Sequence, residues 1–557
     1  MQELVLLTYS KVIFSAYTDW LEHLCASPQK LSDISQECEC TSQEFLNYFT
    51  NVWSDIKCSK CIPISPIDHR FKNKMWSKYY PFNVYSQLFL SYQHILNAIS
   101  SNVPGVSPHH EQLVNFTLRQ FMDMYSPSNF PWTNPVVVKA AVEQYGMNFI
   151  RGYKNYQEDV IHYVNHQPPA GTEEFKVGVN LAITPGKVIY QNRLIELIQY
   201  TPTTNRVYSE PILIVPAWIM KYYILDLSPY NSMVKYLVDQ GHTVFMISWK
   251  NPDTTDANLS LEDYMSLGVM DAINVINRII PNRKIHCTGY CIGGTLLMLA
   301  AALMAAQSDD RIKTISLFAA QIDFTEAGEL RLFIDEEQIG AIEKIMQKHG
   351  YLSGEQMASC FSMLHAQDLV WSRYIQDYLL GARYPFSDMM TWNSDTTRLP
   401  YKMHSEYLRK LYLHNEFAIG KYKLKGQKLS IADIKVPIFA VSTVKDHVAP
   451  WKSVYKIHNL SKTDITYVLT RGGHNSGIIS EPNHKDRSYQ MLEHKKLQKP
   501  LTPDIWQEKA PQYEGSWWLA WEEWLSNLSG VKVALPSMGS AEYKIICDAP
   551  GTYVLQR

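Results

Sequence analysis

Apolar positions recur every three or four residues through the first third of the chain. Further on they gather in short unbroken runs, so the chain divides by period. Leu4, Val5, Tyr9, Val12, Ile13, Tyr17, Trp20, Leu21 and Leu24 fall at helical spacings and predict an amphipathic helix over about 4–24. Ser27-Pro28 interrupts it. Thr41-x-x-Glu44 has the form of a capping box and predicts a separate helix with Phe45, Tyr48, Phe49 and Trp53 on its apolar face. Further helices are predicted over about 81–99, 109–124 and 136–163, with the three prolines of Ser126-Pro-Ser-Asn-Phe-Pro-Trp-Thr-Asn-Pro135 breaking the pattern before the last. Residues 1–173 thus read as a helical N-terminal domain.

From about Glu174 the period changes. Val188-Ile-Tyr190 and Leu194-Ile-Glu-Leu-Ile-Gln-Tyr200 read as a strand pair, and Pro211-Ile-Leu-Ile-Val-Pro216 as a fully buried strand. A helix over 231–240, a strand over 243–249, a long helix over 261–280 and a strand from Lys284 follow in βαβ order, which predicts a parallel sheet. Strands 315–319, 437–442 and 465–469 continue it, while the helical, irregular stretch at about 325–434 reads as an insertion covering one end of the sheet. The second domain is therefore 174–557.

The strand from Lys284 runs into Gly289-Tyr-Cys-Ile-Gly293 and then an all-apolar helix. This is the nucleophile elbow G-x-S-x-G with cysteine in place of serine, and it predicts an α/β-hydrolase fold with a helical lid insertion. The fold orders its groups nucleophile, acid, base. Asp446, after the strand ending at Ser442, and His474, after the strand ending at Leu469, stand in that order behind Cys291. His447 is the rival base, but a side chain adjacent to the orienting carboxylate generally points elsewhere, so it is given a supporting place. His286, within the strand before the elbow, reads as a satisfied core histidine.

Composition narrows the picture. Hydrophobic residues make up 46%, charged residues 19%, and a net charge of −2 offers no field for nucleic acid. The first residues lack the basic segment and cleavage site of a signal peptide and no run is long enough to span a membrane, so the expected compartment is the cytoplasm. Nine cysteines suit a reducing compartment. Cys38-x-Cys40 with Cys58-x-x-Cys61 invites a zinc reading, but the first spacing is short and no histidine completes a familiar set, so no metal is expected.

Several long motifs carry a family resemblance. They are the proline-rich stretch 126–135, Thr184-Pro-Gly-Lys-Val188, Tyr223-Ile-Leu-Asp-Leu227, Gly241-His-Thr-Val-Phe245 with Ser248-Trp249, Gly289-Tyr-Cys-Ile-Gly-Gly294, Trp392-Asn-Ser-Asp395, Met403-His-Ser-Glu-Tyr407, Asp446-His-Val-Ala-Pro-Trp451 and Ala549-Pro-Gly-Thr-Tyr-Val554. In these the chain resembles the class I polyhydroxyalkanoate synthases over roughly 70–557. The resemblance implies an acyltransferase that polymerises (R)-3-hydroxyacyl-CoA into polyester, with Cys291 acylated, His474 as base and Asp446 as its partner. It further implies a homodimer on cytoplasmic polyester granules. Coenzyme A thioester is the substrate and no cofactor is required. Trp392 and Asp226, inside two of the motifs, are taken as supporting residues. Where the family commonly has Pro-Pro-Trp-Ile-Asn-Lys, this chain has Pro216-Ala-Trp-Ile-Met-Lys221. A backbone donor survives that change, so the expected oxyanion pair is the N–H of Ile292 with one from the Trp218–Ile219 region.

Two other readings share part of this pattern. A thioesterase with a cysteine nucleophile has the same three groups and differs in passing the acyl unit to water. A non-catalytic granule protein on a degenerate hydrolase fold has no need of them.

Overall fold

A computed structural model of the chain describes residues 2–54, 61–65, 68–165, 167–364, 366–424, 426–496 and 498–557, with the side chains of 2–10 and 368 left aside. It falls into two compact units, Met1–Gly171 with Ser359–Pro385, and Thr172–Ala358 with Phe386–Arg557. Ser359–Pro385 comes from inside the insertion expected at 325–434, so that stretch is shared between the units.

The first unit is built on helices α1 (Gln2–Cys25), α2 (Pro28–Trp53), α3 (Phe82–Ser100), α4 (Pro108–Met124), α5 (Pro135–Glu143) and α6 (Met147–Val164). The break at Ser27-Pro28 falls where expected, since a proline without an N–H costs nothing at the first helical position. The separate helix expected from Thr41 does not exist. α2 runs straight through Thr41, which is buried, because no glycine or proline releases the backbone there and an S/T-x-x-E pattern caps a helix only where the chain has already left it. Conversely, the single helix expected over 136–163 is two, parted where Tyr145 and Gly146 take φ of 52° and 78°. Phe71, Trp76, Phe89, Leu90 and Met122 form a small core. Buried beside it, Arg70 donates to Asp68 at 2.7 Å and Asp123 at 2.9 Å, and its guanidinium carbon lies 4.9 Å from the centre of the Phe89 ring. α6 packs on residues 377–379 through its polar side. Asn148 donates to Leu379 O at 2.7 Å, Asn155 donates to Asp377 O at 2.8 Å, and a Cβ on Gly152 would stand 1.8 Å from Tyr378 O.

The second unit is an eleven-stranded sheet with helices against it. Its strands are β1 (Gly186–Gln191), β2 (Ile195–Tyr200), β3 (Ile212–Val215), β4 (Val244–Trp249), β5 (Ile285–Tyr290), β6 (Ile312–Phe318), β7 (Ile438–Thr443), β8 (Ile465–Thr470), β9 (Ser488–His494), β10 (Gln512–Glu514) and β11 (Cys547–Asp548). They lie in the order β10-β9-β8-β7-β6-β5-β3-β4-β2-β1-β11. The six from β4 to β8 across β3, β5, β6 and β7 are parallel, and the strands on either side pair antiparallel. The parallel strands are buried on both faces but for Lys313 in β6, as helices on each side require, and all but β5 (Ile-His-Cys-Thr-Gly-Tyr) are mainly apolar. With β1 and β2 they give the strand order of the α/β-hydrolase fold. The sheet extends beyond β8, the last strand expected. β9 is buried only at Ser488 and Tyr489, and it carries Gln490, Glu493 and His494, so it lacks the apolar run that marks the central strands. No helix among the described residues is long and apolar enough to cross a membrane.

Candidate active site

β5 is buried throughout and delivers Cys291 at the first residue beyond it, where helix α7 (Ile292–Ala306) begins. Cys291 takes φ 52° and ψ −129°, a conformation a side-chain-bearing residue adopts only when its surroundings hold it there. Its N–H donates to Phe318 O at 2.8 Å and its carbonyl accepts from Gly294 N at 2.9 Å. The neighbouring glycines are required by contact. A Cβ on Gly289 would stand 2.3 Å from Gly294 Cα, and one on Gly293 would stand 2.3 Å from Val215 O and 2.5 Å from Pro216 O. The loop after β3 therefore rests directly on the first turn of α7.

Asp446 lies in the turn after β7 and is buried. Its Oδ1 accepts from the N–H groups of Val448 at 3.0 Å and Ala449 at 2.7 Å, and its Oδ2 accepts from Thr443 Oγ1 at 3.2 Å and His474 Nδ1 at 2.8 Å. A carboxylate with this many donors is held in one orientation. His474 follows β8, in a loop that turns at Gly472 (φ 118°) and is closed by a bond from Gly473 N to Ser476 Oγ at 3.1 Å. With Nδ1 occupied by Asp446, Nε2 is the ring atom left to meet the nearby Cys291. Burial pulls the imidazole pKa down, but the Asp446 carboxylate and the Cys291 sulfur outweigh it and hold the group well above its ordinary value.

Cys291 is 7% exposed. Tyr407, from the insertion, lies near Cys291 and packs 6.1 Å, centre to centre, from Trp218. Ile292 opens α7, so its N–H is one of the donors a helix leaves unused. Ile219 sits in the Pro216–Lys221 loop. That loop is strapped by Thr397, whose hydroxyl donates to Trp218 O and whose N–H donates to Ile219 O at 3.3 Å. Trp392, buried, donates from Nε1 to Lys221 O at 2.7 Å, so it props the same loop. Asp226 stands elsewhere, wholly buried in a network with the hydroxyls of Thr184 and Ser232, and burial raises its pKa against those donors. His447 is exposed. His286 is the satisfied core residue expected, bonded to Thr314 at 2.8 Å and Ser529 at 3.0 Å, with burial driving its pKa down to about 3.

Three neighbours escaped the sequence reading. Tyr290 donates to Asn475 Oδ1 at 2.5 Å and so ties the elbow to the histidine loop; both residues lie beside the groups that were singled out. Tyr407 and the buried Lys221 each end a stretch quoted for the family resemblance, but neither carries a catalytic pattern of its own. Cys38 and Cys40 lie two residues apart on α2, which turns them to different sides, and Cys61 donates to Gln87 Oε1 at 3.0 Å. Cys58 is outside the described residues. Among those described, no group of three or more His, Cys, Asp or Glu is disposed to hold a metal.

A family model described as "Poly-beta-hydroxybutyrate polymerase (PhaC) N-terminus" matches residues 67–237, and one described as "alpha/beta hydrolase fold" matches residues 210–480. A poly(3-hydroxyalkanoate) polymerase of Methylorubrum extorquens is 38% identical over 491 residues, 88% of this chain and 81% of that one. The poly(3-hydroxyalkanoate) polymerase subunit PhaC of Cupriavidus necator is 33% identical over 545 residues, 96% of this chain and 90% of that one. Among solved structures, a Paleococcus ferrophilus monoacylglycerol lipase matches at 14% identity and a TM-score of 0.35, covering 60% of this chain and 99% of that one. With a third or more of its residues identical to these polymerases over most of both lengths, the chain belongs to the poly(3-hydroxyalkanoate) polymerase family, enzymes of the transferase type on an α/β-hydrolase fold.

Proposed function

We propose that the protein polymerises (R)-3-hydroxyacyl-CoA, (R)-3-hydroxybutyryl-CoA among them, into polyester with release of coenzyme A, through a thioester on Cys291. The observation that carries this reading is the constellation itself: a cysteine held at φ 52° beside an imidazole whose other nitrogen is bonded to a buried carboxylate. His474 Nε2 takes the thiol proton, and the thiolate attacks the thioester carbonyl. The oxyanion is met by the N–H of Ile292 and one from the Trp218–Ile219 stretch. The tetrahedral adduct expels coenzyme A thiolate, which leaves with the proton from His474. In the second half the hydroxyl of another acyl unit gives its proton to His474, attacks the Cys291 thioester and displaces the thiolate, so each cycle adds one ester bond. Thioester-for-thioester exchange is nearly isoenergetic and leaves an acyl group that an alcohol can still take downhill, whereas an acyl-serine would be a more stable oxygen ester and a poorer acyl donor. The sequence calls for no cofactor or metal ion.

Water competes with the alcohol for the acyl-enzyme. The burial of Cys291 supports transfer to alcohol over the thioesterase reading, because a dry thioester survives until a bound hydroxyl arrives. The cover must then open for coenzyme A and polymer to leave. We propose further that the enzyme works as a homodimer at the granule surface, supported by the apolar side chains that α6 leaves in solvent.

The test is incubation with (R)-3-hydroxybutyryl-CoA, measuring coenzyme A release and product mass. High-mass polyester is expected, and Cys291→Ala should fold and release none. Free 3-hydroxybutyrate in step with coenzyme A would make the protein a thioesterase, and turnover by Cys291→Ala would remove that thiol from the mechanism.

A further inference from the structure

The Pro216–Lys221 loop ends on a lysine that is 3% exposed. An ammonium is costly to bury unless it is hydrogen-bonded and paired. Lys221 Nζ donates to Gln556 O at 2.7 Å and to Tyr553 O at 3.4 Å. The segment that supplies those carbonyls is itself fixed. Buried Glu196 accepts from Thr552 N and Tyr553 N, each at 2.9 Å, and from the Thr552 hydroxyl at 2.6 Å. Tyr553 OH donates to Asn192 O at 2.6 Å, Asn251 N donates to Gln556 Oε1 at 3.0 Å, and Arg398 donates to Arg557 O at 3.0 Å. At the other end of the same residue, the Lys221 carbonyl is held by Trp392. One residue thus joins the loop after β3 to two separate pieces of the molecule.

We infer that Lys221 is a positioning residue for acyl transfer: its ammonium, gripped by the carbonyls of Tyr553 and Gln556, holds the Trp218–Met220 backbone against the first turn of α7, so that the second oxyanion donor is in place before charge develops. This deepens the acyl-transfer reading and rests on it. Holding a donor still is worth most where charge appears only in the transition state, because nothing then has to reorganise during the reaction. The charged and titratable groups that face the ammonium are Asp395, Arg398 and Arg557, with Tyr223 OH donating to Asp395 at 3.0 Å. Burial lowers the ammonium pKa, Asp395 opposes that, and the two arginines add to the fall, bringing it to about 8. Burial pushes the Asp395 carboxyl up in turn. A neutral amine keeps N–H donors but loses the charge-assisted part of the bond, so the grip loosens as pH rises past about 8. Arginine at this position would stay charged.

The experiment is single-turnover coenzyme A release from (R)-3-hydroxybutyryl-CoA by the full chain, followed from neutral to alkaline pH in wild type, Lys221→Arg and Lys221→Met, with melting temperatures alongside. Lys221→Met should acylate about 10²-fold more slowly with little change in KM, since a donor misplaced by about 1 Å costs that much. The wild-type rate should fall near pH 8, and Lys221→Arg should lack that fall. A wild-type rate in Lys221→Met, or the same alkaline fall in Lys221→Arg, overturns the inference while leaving acyl transfer standing. Should Lys221→Met not fold, the wild-type and arginine profiles decide. A wild-type protein that releases no coenzyme A removes the acyl-transfer reading and the inference together.

Discussion

Helices α7 and α6 are both rich in apolar residues, and they are used in opposite ways. From Ile292 to Met304 every residue of α7 is buried, whereas α6 buries Asn148 and Gly152 and leaves Ile150 at 51%, Tyr153 at 61% and Val164 at 67% exposure. Around α7 the burial of apolar area, about 25 cal/mol per Å², supplies the energy that keeps Cys291 in a backbone conformation it would not choose. On α6 the same kind of surface is left in water while the polar side makes the internal bonds. A helix turned this way has the shape of a surface waiting for a partner. The contrast separates residues that make the chemistry possible from residues that decide where it takes place.

The largest effect expected from breaking this contrast lies at the base. His474→Gln should lower turnover by about 10³-fold or more, and His447→Gln by less than about 10-fold, read from coenzyme A release at saturating substrate. A reversed pair of losses would exchange the two assignments. Next comes the packing at the elbow. Gly293→Ala forces a Cβ onto two carbonyl oxygens and should destabilise by about 1–3 kcal/mol, whereas Gly340→Ala, on a helix where an added Cβ meets nothing within 4 Å, should stabilise by about 0.5–1 kcal/mol. Equal melting shifts would mean that the elbow relaxes more easily than its contacts imply. A subtler change is electrical. Removing the sulfur in Cys291→Ala takes away one of the two neighbours that hold the His474 pKa up, so an NMR titration should show a lower value than in wild type. An unchanged value would mean that Asp446 sustains it unaided. The smallest change in stability belongs to α6. Tyr153→Ser should alter unfolding by no more than about 0.5 kcal/mol while weakening self-association in sedimentation; a loss typical of a core residue would show that this side chain is not at a free surface.

Much of this was readable in the chain, and the exceptions have physical causes. Most central strands announce themselves because burial on both faces favours apolar runs, and the one before Cys291 by the glycine-flanked elbow that ends it; the loops bearing Cys291, Asp446 and His474 follow from where those strands stop. β9, half-exposed over most of its length, gives a fainter signal than the central strands. Thr41 misled because a four-residue capping pattern says nothing about whether the backbone has left the helix, while Pro28 did not mislead, since its ring fixes the backbone whatever its neighbours do. The grouping of Ser359–Pro385 with the first unit depends on contacts such as Asn148 with Leu379, more than two hundred residues apart in sequence, and no local pattern encodes them. Lys221 was passed over for a related reason. A lysine in sequence reads as surface, and only the folded chain brings Gln556 to it.

The depth at which Cys291 lies also bears on how its reactivity would be assayed. Cys25 and Cys40 are exposed, Cys38, Cys61, Cys360 and Cys547 are half-buried, and Cys287 and Cys291 are buried. A thiol reagent added to the resting protein will meet the surface cysteines first, and a count of modified sulfurs will rise well before activity falls. Inhibition should lag behind labelling, and more so for a bulky maleimide than for a small alkyl iodide. Modification of Cys291 that quickens when substrate is present would record the moments at which the cover over the site is open.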